Sequence, residues 1–239
     1  MGRLRDLRKT VLAALEADPW PDGLASLEDV RPKTLLGPLY ACLLEPDERV
    51  RWRAATAFGR TVARLFAEKP EDARQLLRQF MWRLNEESGN IAWGIPEAFG
   101  EILAAQPVLA GEFHRVLASY INDRDCATGD NYLELCPLRR GVYWALGRLA
   151  EASPLLVLPA LSDLLLAFKG EDPQSRGLAA WAVGSLLPHA GENYGLARTA
   201  LEALASGETG NYTFDFYRGG ELSCVSVGQL AREGIEKAA

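Results

Sequence analysis

The sequence is poor in the residues from which catalytic and metal sites are most often built. It holds two histidines, His114 and His189, and four cysteines among 239 residues. No cysteine pair has the CxxC spacing of a zinc or redox site, and neither a GxSxG motif nor a glycine-rich phosphate loop is present. We therefore expect no catalytic residue, no cofactor and no metal. Whether the chain is an enzyme is left undecided, with the balance against it.

An excess of basic residues is also lacking, because 26 Lys and Arg stand against 32 Asp and Glu, a formal net charge of -6. Proteins that clamp nucleic-acid phosphates show the opposite balance. No window approaches the roughly 20 apolar residues of a membrane span, and the first residues lack the apolar stretch of a signal peptide. The scattered cysteines fit a reducing compartment. We expect a cytoplasmic protein that binds neither nucleic acid nor membrane, of unknown oligomeric state.

What the chain does contain is an internal repeat. Four segments share one pattern and end at a glycine: RWRAATAFG at Gly59, AWGIPEAFG at Gly100, RGVYWALG at Gly147 and RGLAAWAVG at Gly184. The glycines lie 41, 47 and 37 residues apart, close to the ~40–47-residue period of HEAT and armadillo units. An alanine precedes each glycine by two residues, with a larger apolar residue between them. Small residues on one face let neighbouring helices approach, so each copy predicts one helix packed on the next.

A second apolar segment with helical periodicity follows each copy, and turn residues such as Lys69-Pro70, Gln106-Pro107 and Ser153-Pro154 separate the two helices. Proline at these points ends one helix and suits the first turn of the next. A less regular pair of predicted helices precedes the four copies, and residues 18–23 are predicted to end the first of them. We therefore predict an all-α fold, a right-handed α-solenoid of about five helix pairs.

The last thirty residues change character. The stretch NYTFDFYRGGELSCVSV alternates apolar and polar residues around Gly219-Gly220, which is typical of a β-hairpin with a two-residue turn. Ser226 with Gln229 three residues later matches a capping box that opens a final helix. The predicted organisation is a HEAT-like solenoid over residues 1–210 and a hairpin-helix cap over 211–239, packed on the same domain.

With these residues in view, the chain resembles the HEAT-repeat superfamily, and within it the phycobilisome-lyase-type HEAT-like repeats. The resemblance covers roughly residues 45–205 and is carried best by PDERVRWRAATAFG and EDPQSRGLAAWAVG. The stretch ESGNIAWGIPEAFGEIL is similar to an uncharacterised group of bacterial HEAT proteins. The chain departs from the pattern at Ala92, where arginine is absent, and in the insert INDRDCATGDNYLELCP. The resemblance to the superfamily implies a helical solenoid, whereas the similarity to the uncharacterised group implies no particular activity.

The insert carries the pattern closest to a metal site. Its acids have the spacing of a calcium loop: Asp123, Asp125, Asp130 and Glu134. However, Thr128 stands where the turn of such a loop requires glycine, and Ala127 replaces an oxygen ligand. Cys126 and Cys136 without a histidine make a poor zinc set. We predict no metal here, and the sequence does not decide whether the Cys126/Cys136 loop binds anything else.

Acids and arginines recur at the repeat starts. The residues are Asp47 or Glu48 with Arg51, Glu134 with Arg139, and Asp172 with Arg176. The planar guanidinium suits pairing with a carboxylate or carbonyl on an adjacent turn. We interpret Asp47, Arg51, Arg139, Asp172 and Arg176 as a structural ladder rather than as a functional site.

Tryptophan and charged residues accumulate in the middle repeats. The candidate groove residues are Trp93, Glu97, Glu101, Tyr132, Glu134, Arg140, Trp144 and Arg148. Two interpretations stand side by side: tryptophan fills repeat-core volume, or tryptophan and arginine form a binding surface of the kind found at interface hot spots. Glu97 is a polar choice at a position expected to be semi-buried.

Three functions are compared on this basis. The first is a protein-interaction scaffold that grips a protein partner on the concave face of the solenoid. The second is a lyase-like or cofactor-handling factor with a pocket of Trp93, Glu97, Tyr132 and Arg140, which follows from the family resemblance alone. The third and weakest is a DNA glycosylase-like protein using Trp144 and Asp163, for which the basic face is missing.

Overall fold

The computed structural model describes residues 2–85, 92–123 and 131–238. The helices are α1 (Gly2–Glu16), α2 (Trp20–Ser26), α3 (Pro32–Cys42), α4 (Glu48–Glu68), α5 (Pro70–Leu84), α6 (Ile95–Ala105), α7 (Pro107–Ser119), α8 (Cys136–Ala152), α9 (Pro154–Val157), α10 (Leu161–Ala167), α11 (Pro173–Leu186), α12 (Tyr194–Ser206) and α13 (Val227–Glu236). The strands are β1 (Thr213–Arg218) and β2 (Glu221–Ser226). Within these described ranges, no helix combines the length and apolar character that crossing a bilayer requires.

Local signals in the sequence begin and end the helices as expected. A proline lies in the first turn of each of α5, α7 and α9: Pro70, Pro107 and Pro154. Backbone N–H groups in the first turn have no partner within the helix, so proline there costs no hydrogen bond. The side chain of Asp47 caps α4 by accepting from the backbone N–H groups of Arg49 and Val50, which otherwise lack partners. The predicted separation of the helix pairs is therefore confirmed.

The first helices of the four pairs form a continuous row. Helix α4 packs on α6, α6 on α8, and α8 on α11. A Cβ added at Gly59 would lie 2.8 Å from the carbonyl oxygen of Glu101, and one at Gly100 would lie 2.5 Å from Ala145 Cα. At Gly147 the added atom would overlap the Trp181 ring. The four glycines share one environment, as predicted, and they allow the helices of the row to approach closely.

Helix α13 extends this row. A Cβ at Gly184 would lie 2.5 Å from Gly234 Cα, and one at Gly177, near the start of α11, would meet Val227, at the start of α13. The two helices therefore run in the same direction, as successive first helices do. The sequence comparison missed this fifth copy because Arg232 and Glu233 replace the small and apolar residues that precede the other glycines.

Two elements depart from the sequence prediction. Residues 18–23, predicted to be a helix-breaking segment, instead contain the start of α2 (Trp20–Ser26). Pro21 lies in the first turn of this helix, a position that proline favours. The second helix of the third pair is interrupted by a 3₁₀ turn at Leu158–Ala160, which separates α9 from α10. Pro159 lies in that turn, and proline cannot supply the backbone N–H that a continuous helix would use there.

The C-terminal hairpin forms as predicted but lies in an unexpected place. Arg218 pairs with Glu221 across the Gly219-Gly220 turn, and Ser226 caps α13 by accepting from the Gln229 N–H. Strand β1 crosses the row of first helices: Phe214 contacts Gly177 of α11, whereas Gly220 after the strand contacts Trp20 of α2. The hairpin therefore spans the face of the solenoid instead of covering only its end.

Candidate functional site

Aromatic packing holds the hairpin on the face of the first-helix row. The Tyr217 ring stacks on Trp52 with centroids 5.2 Å apart and planes 9° apart. Trp144 Nε1 donates to the Tyr217 carbonyl oxygen at 2.9 Å, and the Thr56 and Tyr217 hydroxyls lie 3.1 Å apart. Burial raises the pKa of Tyr217 to about 12, so this hydroxyl stays neutral. The hairpin divides the face into two open regions.

The first region is a groove at the amino-terminal ends of α4 and α6, which we call the amino-end groove. It encloses about 440 Å³. Its lining residues are Leu43, Leu44, Glu45, Pro46, Glu48, Arg51, Trp52, Trp93, Gly94, Glu97 and Pro137. A smaller cavity of about 130 Å³ shares Glu48, Trp52, Glu97 and Pro137 with the groove and extends it toward the hairpin.

One tryptophan and one leucine side chain are exposed to solvent at this groove. Trp93 is 42% exposed and Leu44 is 63% exposed. Trp93 immediately precedes Gly94, which begins α6 with a φ of +72°, a left-handed conformation that favours glycine. Leu43 lies against Gly94, so a Cβ there would also meet the Leu43 side chain at 3.0 Å. The turn that carries Trp93 is thereby fixed against the end of α3.

Glu97 lies at the back of the groove in the first turn of α6. Its carboxyl group rests on Gly141 of α8, where a Cβ would lie 2.6 Å from Oε1 and 2.9 Å from Oε2. Among the described residues, Glu97 Oε2 is buried and meets no hydrogen-bond donor. Buried polar atoms are nearly always paired, so this oxygen is an exception that calls for a cause.

Burial also changes the acidity of Glu97. Removal of water from around the carboxyl raises its pKa from 4.5 to about 7, while a bond to its own backbone N–H and the charge of Arg51 act in the opposite direction. Desolvation dominates because the charged form loses its hydration in a low-dielectric site. Near neutral pH the carboxyl is therefore ready to gain or lose a proton.

Arg140 lines this inner cavity but forms an ion pair with a residue of the next repeat. Its Nε and Nη2 donate to the two carboxylate oxygens of Asp172 at 2.9 and 2.5 Å, a bidentate pair. Burial alone would raise the pKa of Asp172, but the Arg140 and Ser175 hydrogen bonds hold it well below its usual range. Asp172 also caps α11 through the Ser175 N–H. This pair joins two repeats and leaves Glu97 without a counter-ion from Arg140.

The second region is a cleft on the other side of the hairpin, which we call the carboxyl-end cleft, of about 600 Å³. Glu101 accepts from Thr56 at 3.1 Å and from Arg148 at 3.2 Å. Burial raises the pKa of Glu101, and Arg148 partly offsets this effect. Arg218 pairs with Glu151 and Glu233, each at 3.1 Å. These acids and bases already neutralise one another.

The eight candidate groove residues are thus distributed over several places. Trp93 and Glu97 line the amino-end groove, and Arg140 and Trp144 line the cavity behind it. Glu101 and Arg148 line the carboxyl-end cleft, with Trp144 at its floor. Sequence reasoning placed all of them on one surface because it did not place the hairpin across the face.

Tyr132 and Glu134 do not join the groove. Tyr132 lies in a separate cleft with Asp163, and Arg139 stacks over its ring at 5.0 Å. The carbonyl oxygen of Glu134 accepts from Arg139. A single pocket of Trp93, Glu97, Tyr132 and Arg140 is therefore not formed. Trp144 is buried beneath the hairpin, away from Asp163.

The arginines at the repeat starts share one geometry. Arg51 Nη1 donates to the carbonyls of Glu45 and Pro46, each at 2.9 Å. Arg139 Nη1 donates to the carbonyl of Leu133 at 2.6 Å, and Arg176 Nε donates to that of Gly170 at 2.8 Å. Each arginine reaches six residues back, into the loop of its own repeat. Asp47 pairs weakly with Arg49, so backbone carbonyls are the partners of Arg51.

The central part of the acidic insert, residues 124–130, lies outside the described residues. Asp125, Cys126, Ala127, Thr128 and Asp130 all fall in residues 124–130. In the parts of the chain that are described, no three His, Cys, Asp or Glu side chains converge as a metal site would require. The described cysteines Cys42, Cys136 and Cys224 are free.

The groove region includes residues that were not predicted as site residues, among them Glu48, Trp52 and Asp215. Glu48 accepts a hydrogen bond from Trp52 Nε1 at 3.3 Å, and Asp215 is an exposed residue of β1 that lines the inner cavity. Trp52 stands seven residues before Gly59, as Trp93 stands seven residues before Gly100, and this shared position could have identified Trp52. No sequence signal pointed to Asp215, because only the crossing hairpin brings it to the groove.

Comparisons with known proteins identify the fold and no activity. No protein-family model matches the chain. An uncharacterised protein of Archaeoglobus fulgidus is 30% identical over 126 residues, or 53% of this chain and 57% of the relative. The match therefore spans little more than half of the relative's length.

Several solved structures are similar over almost the whole chain. A designed armadillo repeat protein, YIII(Dq)4CqI, matches with a TM-score of 0.54 at 16% identity, covering 99% of this chain and 93% of that one. A second design, YIII(Dq.V1)4CPAF, determined with a (KR)4 peptide, matches with a TM-score of 0.52 at 17% identity, covering 98% and 99%. The chain therefore has the fold of these armadillo repeat proteins, an all-α solenoid, and carries in addition a small C-terminal hairpin.

Proposed function

We propose that this chain is a protein-interaction scaffold that binds a segment of a partner protein in the amino-end groove. The observation that carries the proposal is the open position of Trp93, 42% exposed beside a cavity of about 440 Å³. Tryptophan is enriched among the residues that dominate binding energy at protein interfaces. The volume of the groove also lies in the range of ligand-binding clefts.

The chain's own hairpin supports this function. Tyr217 of β1 docks on the same face by stacking on Trp52 and by accepting from Trp144 Nε1 through its carbonyl. The face therefore already accommodates an extended segment through aromatic stacking and a bond to its backbone. The amino-end groove continues that surface beside the hairpin, because Trp52 borders both.

The fold supports the same class of ligand. Stacked helix pairs present extended surfaces that commonly grip macromolecules. One structurally similar designed protein was determined in complex with a (KR)4 peptide, a precedent for a peptide on this fold. A cytoplasmic location belongs to the proposal and is supported by the scattered cysteines. The lyase-like alternative is not retained, since Tyr132 lies apart from Trp93 and Glu97.

The test is a selection from a random peptide library displayed on phage. We expect the wild-type chain to enrich peptides whose affinity for Trp93→Ala is lower by about thirtyfold or more, the scale of a hot-spot residue. Trp82→Ala is the matched control, because Trp82 is 67% exposed on α5 and does not line the groove. No enrichment, or equal binding to both variants, would contradict the proposal.

A further inference from the structure

The chemistry of the groove indicates what kind of segment it takes, an inference that rests on the proposed function. Glu97 Oε2 is buried without a donor among the described residues. The carboxyl is seated on Gly141, the one residue type without a side chain to displace it. A buried carboxylate oxygen without a donor is unfavourable by itself, and a cationic donor entering the groove would remove that penalty.

The charges around Glu97 favour such a donor. Glu48 and Asp215 add two carboxylates to the walls of the groove and its inner cavity. Of the nearby cations, Arg140 is held in a bidentate pair by Asp172. Nη1 of Arg51 is bound to two backbone carbonyls. These carbonyls do not neutralise the guanidinium of Arg51. Among the described residues, this single cation faces the carboxyl groups of Glu48, Glu97 and Asp215, so the net charge of the groove and its inner cavity is negative.

The remaining walls suit the body of a basic side chain. The exposed indole of Trp93 offers an aromatic face, which attracts ammonium and guanidinium groups. Leu43, Leu44 and Pro137 provide apolar surface, against which the methylene stem of lysine or arginine packs while its head group reaches a polar partner. The groove thus combines an aromatic face and a buried carboxylate for the cationic head group with an apolar wall for its methylene stem.

We propose that the partner segment carries a lysine or arginine whose cationic head group binds the Glu97 carboxylate and packs against Trp93. Glu97 Oε2 then obtains the hydrogen-bond donor that the described chain does not supply. The partner is thus a basic segment of a protein, and Glu97 is the residue that determines this specificity. Nucleic acid does not fit, because its phosphates would face Glu48, Glu97 and Asp215.

The experiment measures fluorescence anisotropy of a labelled octapeptide of alternating lysine and arginine at 150 mM salt. The matched peptide carries acetyl-lysine and citrulline, which preserve the shape and remove the charge. We expect the neutral peptide to bind at least about tenfold more weakly, since hydrogen bonds to charged groups are worth one to two orders of magnitude. Equal binding of the two peptides would overturn the inference.

Variants separate the groove from the net charge of the chain. Glu97→Gln keeps the shape of the side chain and is expected to lower affinity for the charged peptide about tenfold, as is Trp93→Ala at the exposed rim. Glu192→Gln removes the same charge at an exposed position outside the groove and is expected to change affinity less than about twofold. Equal losses in Glu97→Gln and Glu192→Gln would indicate unspecific attraction and refute the site.

The two proposals fail in different ways. If library peptides bind in a Trp93-dependent manner but show no preference for basic residues, the groove binds protein segments and the inference about charge is wrong. If neither library peptides nor the basic octapeptide bind, both proposals are wrong. Circular dichroism of each variant checks that it retains the helical fold.

Discussion

Single glycines set the distance between neighbouring helices of the row. Gly184 and Gly234 approach so closely that a Cβ on the first would lie 2.5 Å from the Cα of the second. Backbone atoms cannot move aside as the end of a flexible side chain can. The same relation at Gly100 and Ala145 explains why small residues recur in these columns.

Substituting Gly184 by alanine is therefore expected to destabilise the fold by about 1–3 kcal/mol through overpacking. Gly111→Ala is the control, because Gly111 lies in α7 with nothing within 4 Å of an added Cβ. That change should stabilise the chain by about 0.5–1 kcal/mol, the helix preference of alanine over glycine. Urea unfolding measures both changes in the free energy of unfolding. An unchanged value for Gly184→Ala would show that α11 and α13 can move apart without loss of stability.

Glu97 should make stability depend on pH. Its pKa is about 7 in the folded chain and 4.5 ordinarily, so between these values the folded state holds a proton that the unfolded state has released. Stability from this group is complete below pH 4.5 and declines as pH rises to about 7, in total by about 3 kcal/mol.

The measurement is the free energy of unfolding in urea at pH 5, 6, 7 and 8. The wild-type chain is expected to lose stability relative to Glu97→Gln, which does not titrate, and the difference should level off above neutral pH. Parallel profiles of the two proteins would mean that water reaches the carboxyl freely.

Among the elements, the hairpin depends most on contacts distant in the sequence. Tyr217 is 1% exposed and contacts Trp52 of α4 and Trp144 of α8. A two-stranded hairpin alone is marginally stable in water. Its order therefore comes from the helices on which it lies.

Tyr217→Ala should cost about 3–5 kcal/mol, the range for truncating a fully buried aromatic residue. Tyr212→Ala, one residue before β1 at 41% exposure, is the matched control and should cost less than about 1 kcal/mol. Tryptophan fluorescence during urea unfolding reports both, because Trp52 and Trp144 border Tyr217. Comparable losses would place the anchoring of the hairpin elsewhere.

At the scale of the whole molecule, the hairpin joins the two ends of the chain. A Cβ at Gly220 would lie 2.8 Å from Trp20 Cδ1 in α2. Repeat solenoids ordinarily bring each unit into contact with its neighbours alone. Here a contact spans 200 residues of sequence, from Trp20 to Gly220, so we expect the ends to unfold together.

Gly220→Asn should loosen this closure, because its side chain meets Trp20 and its φ of +95° is strained for any residue but glycine. Gly219→Asn is the matched control, with a φ of +63° that asparagine tolerates and open space around it. Hydrogen exchange read by mass spectrometry should show faster exchange in residues 20–26 only for Gly220→Asn. Unchanged exchange there would refute the coupling of the two ends.

Much of the fold and less of the candidate site could be predicted from the sequence. The glycine columns identified four first helices, and the alternation around Gly219-Gly220 identified the hairpin. The groove was harder, because Trp93 and Trp144 look alike in sequence, although one is exposed and the other is buried beneath Tyr217. Sequence spacing cannot distinguish these positions, since it carries no information on which distant segment covers a helix face.

The sequence by itself determined the elements and their stacking, since helix periodicity, prolines in first turns and small-residue columns act over a few residues or between neighbouring repeats. Only the tertiary structure decided that α13 extends the row and that the hairpin crosses the face. It also decided that Glu97 Oε2 has no donor in the described chain and that the exposed Trp93 lines the same groove. These features arise from contacts between distant segments, whose packing depends on shape and solvent exclusion in three dimensions.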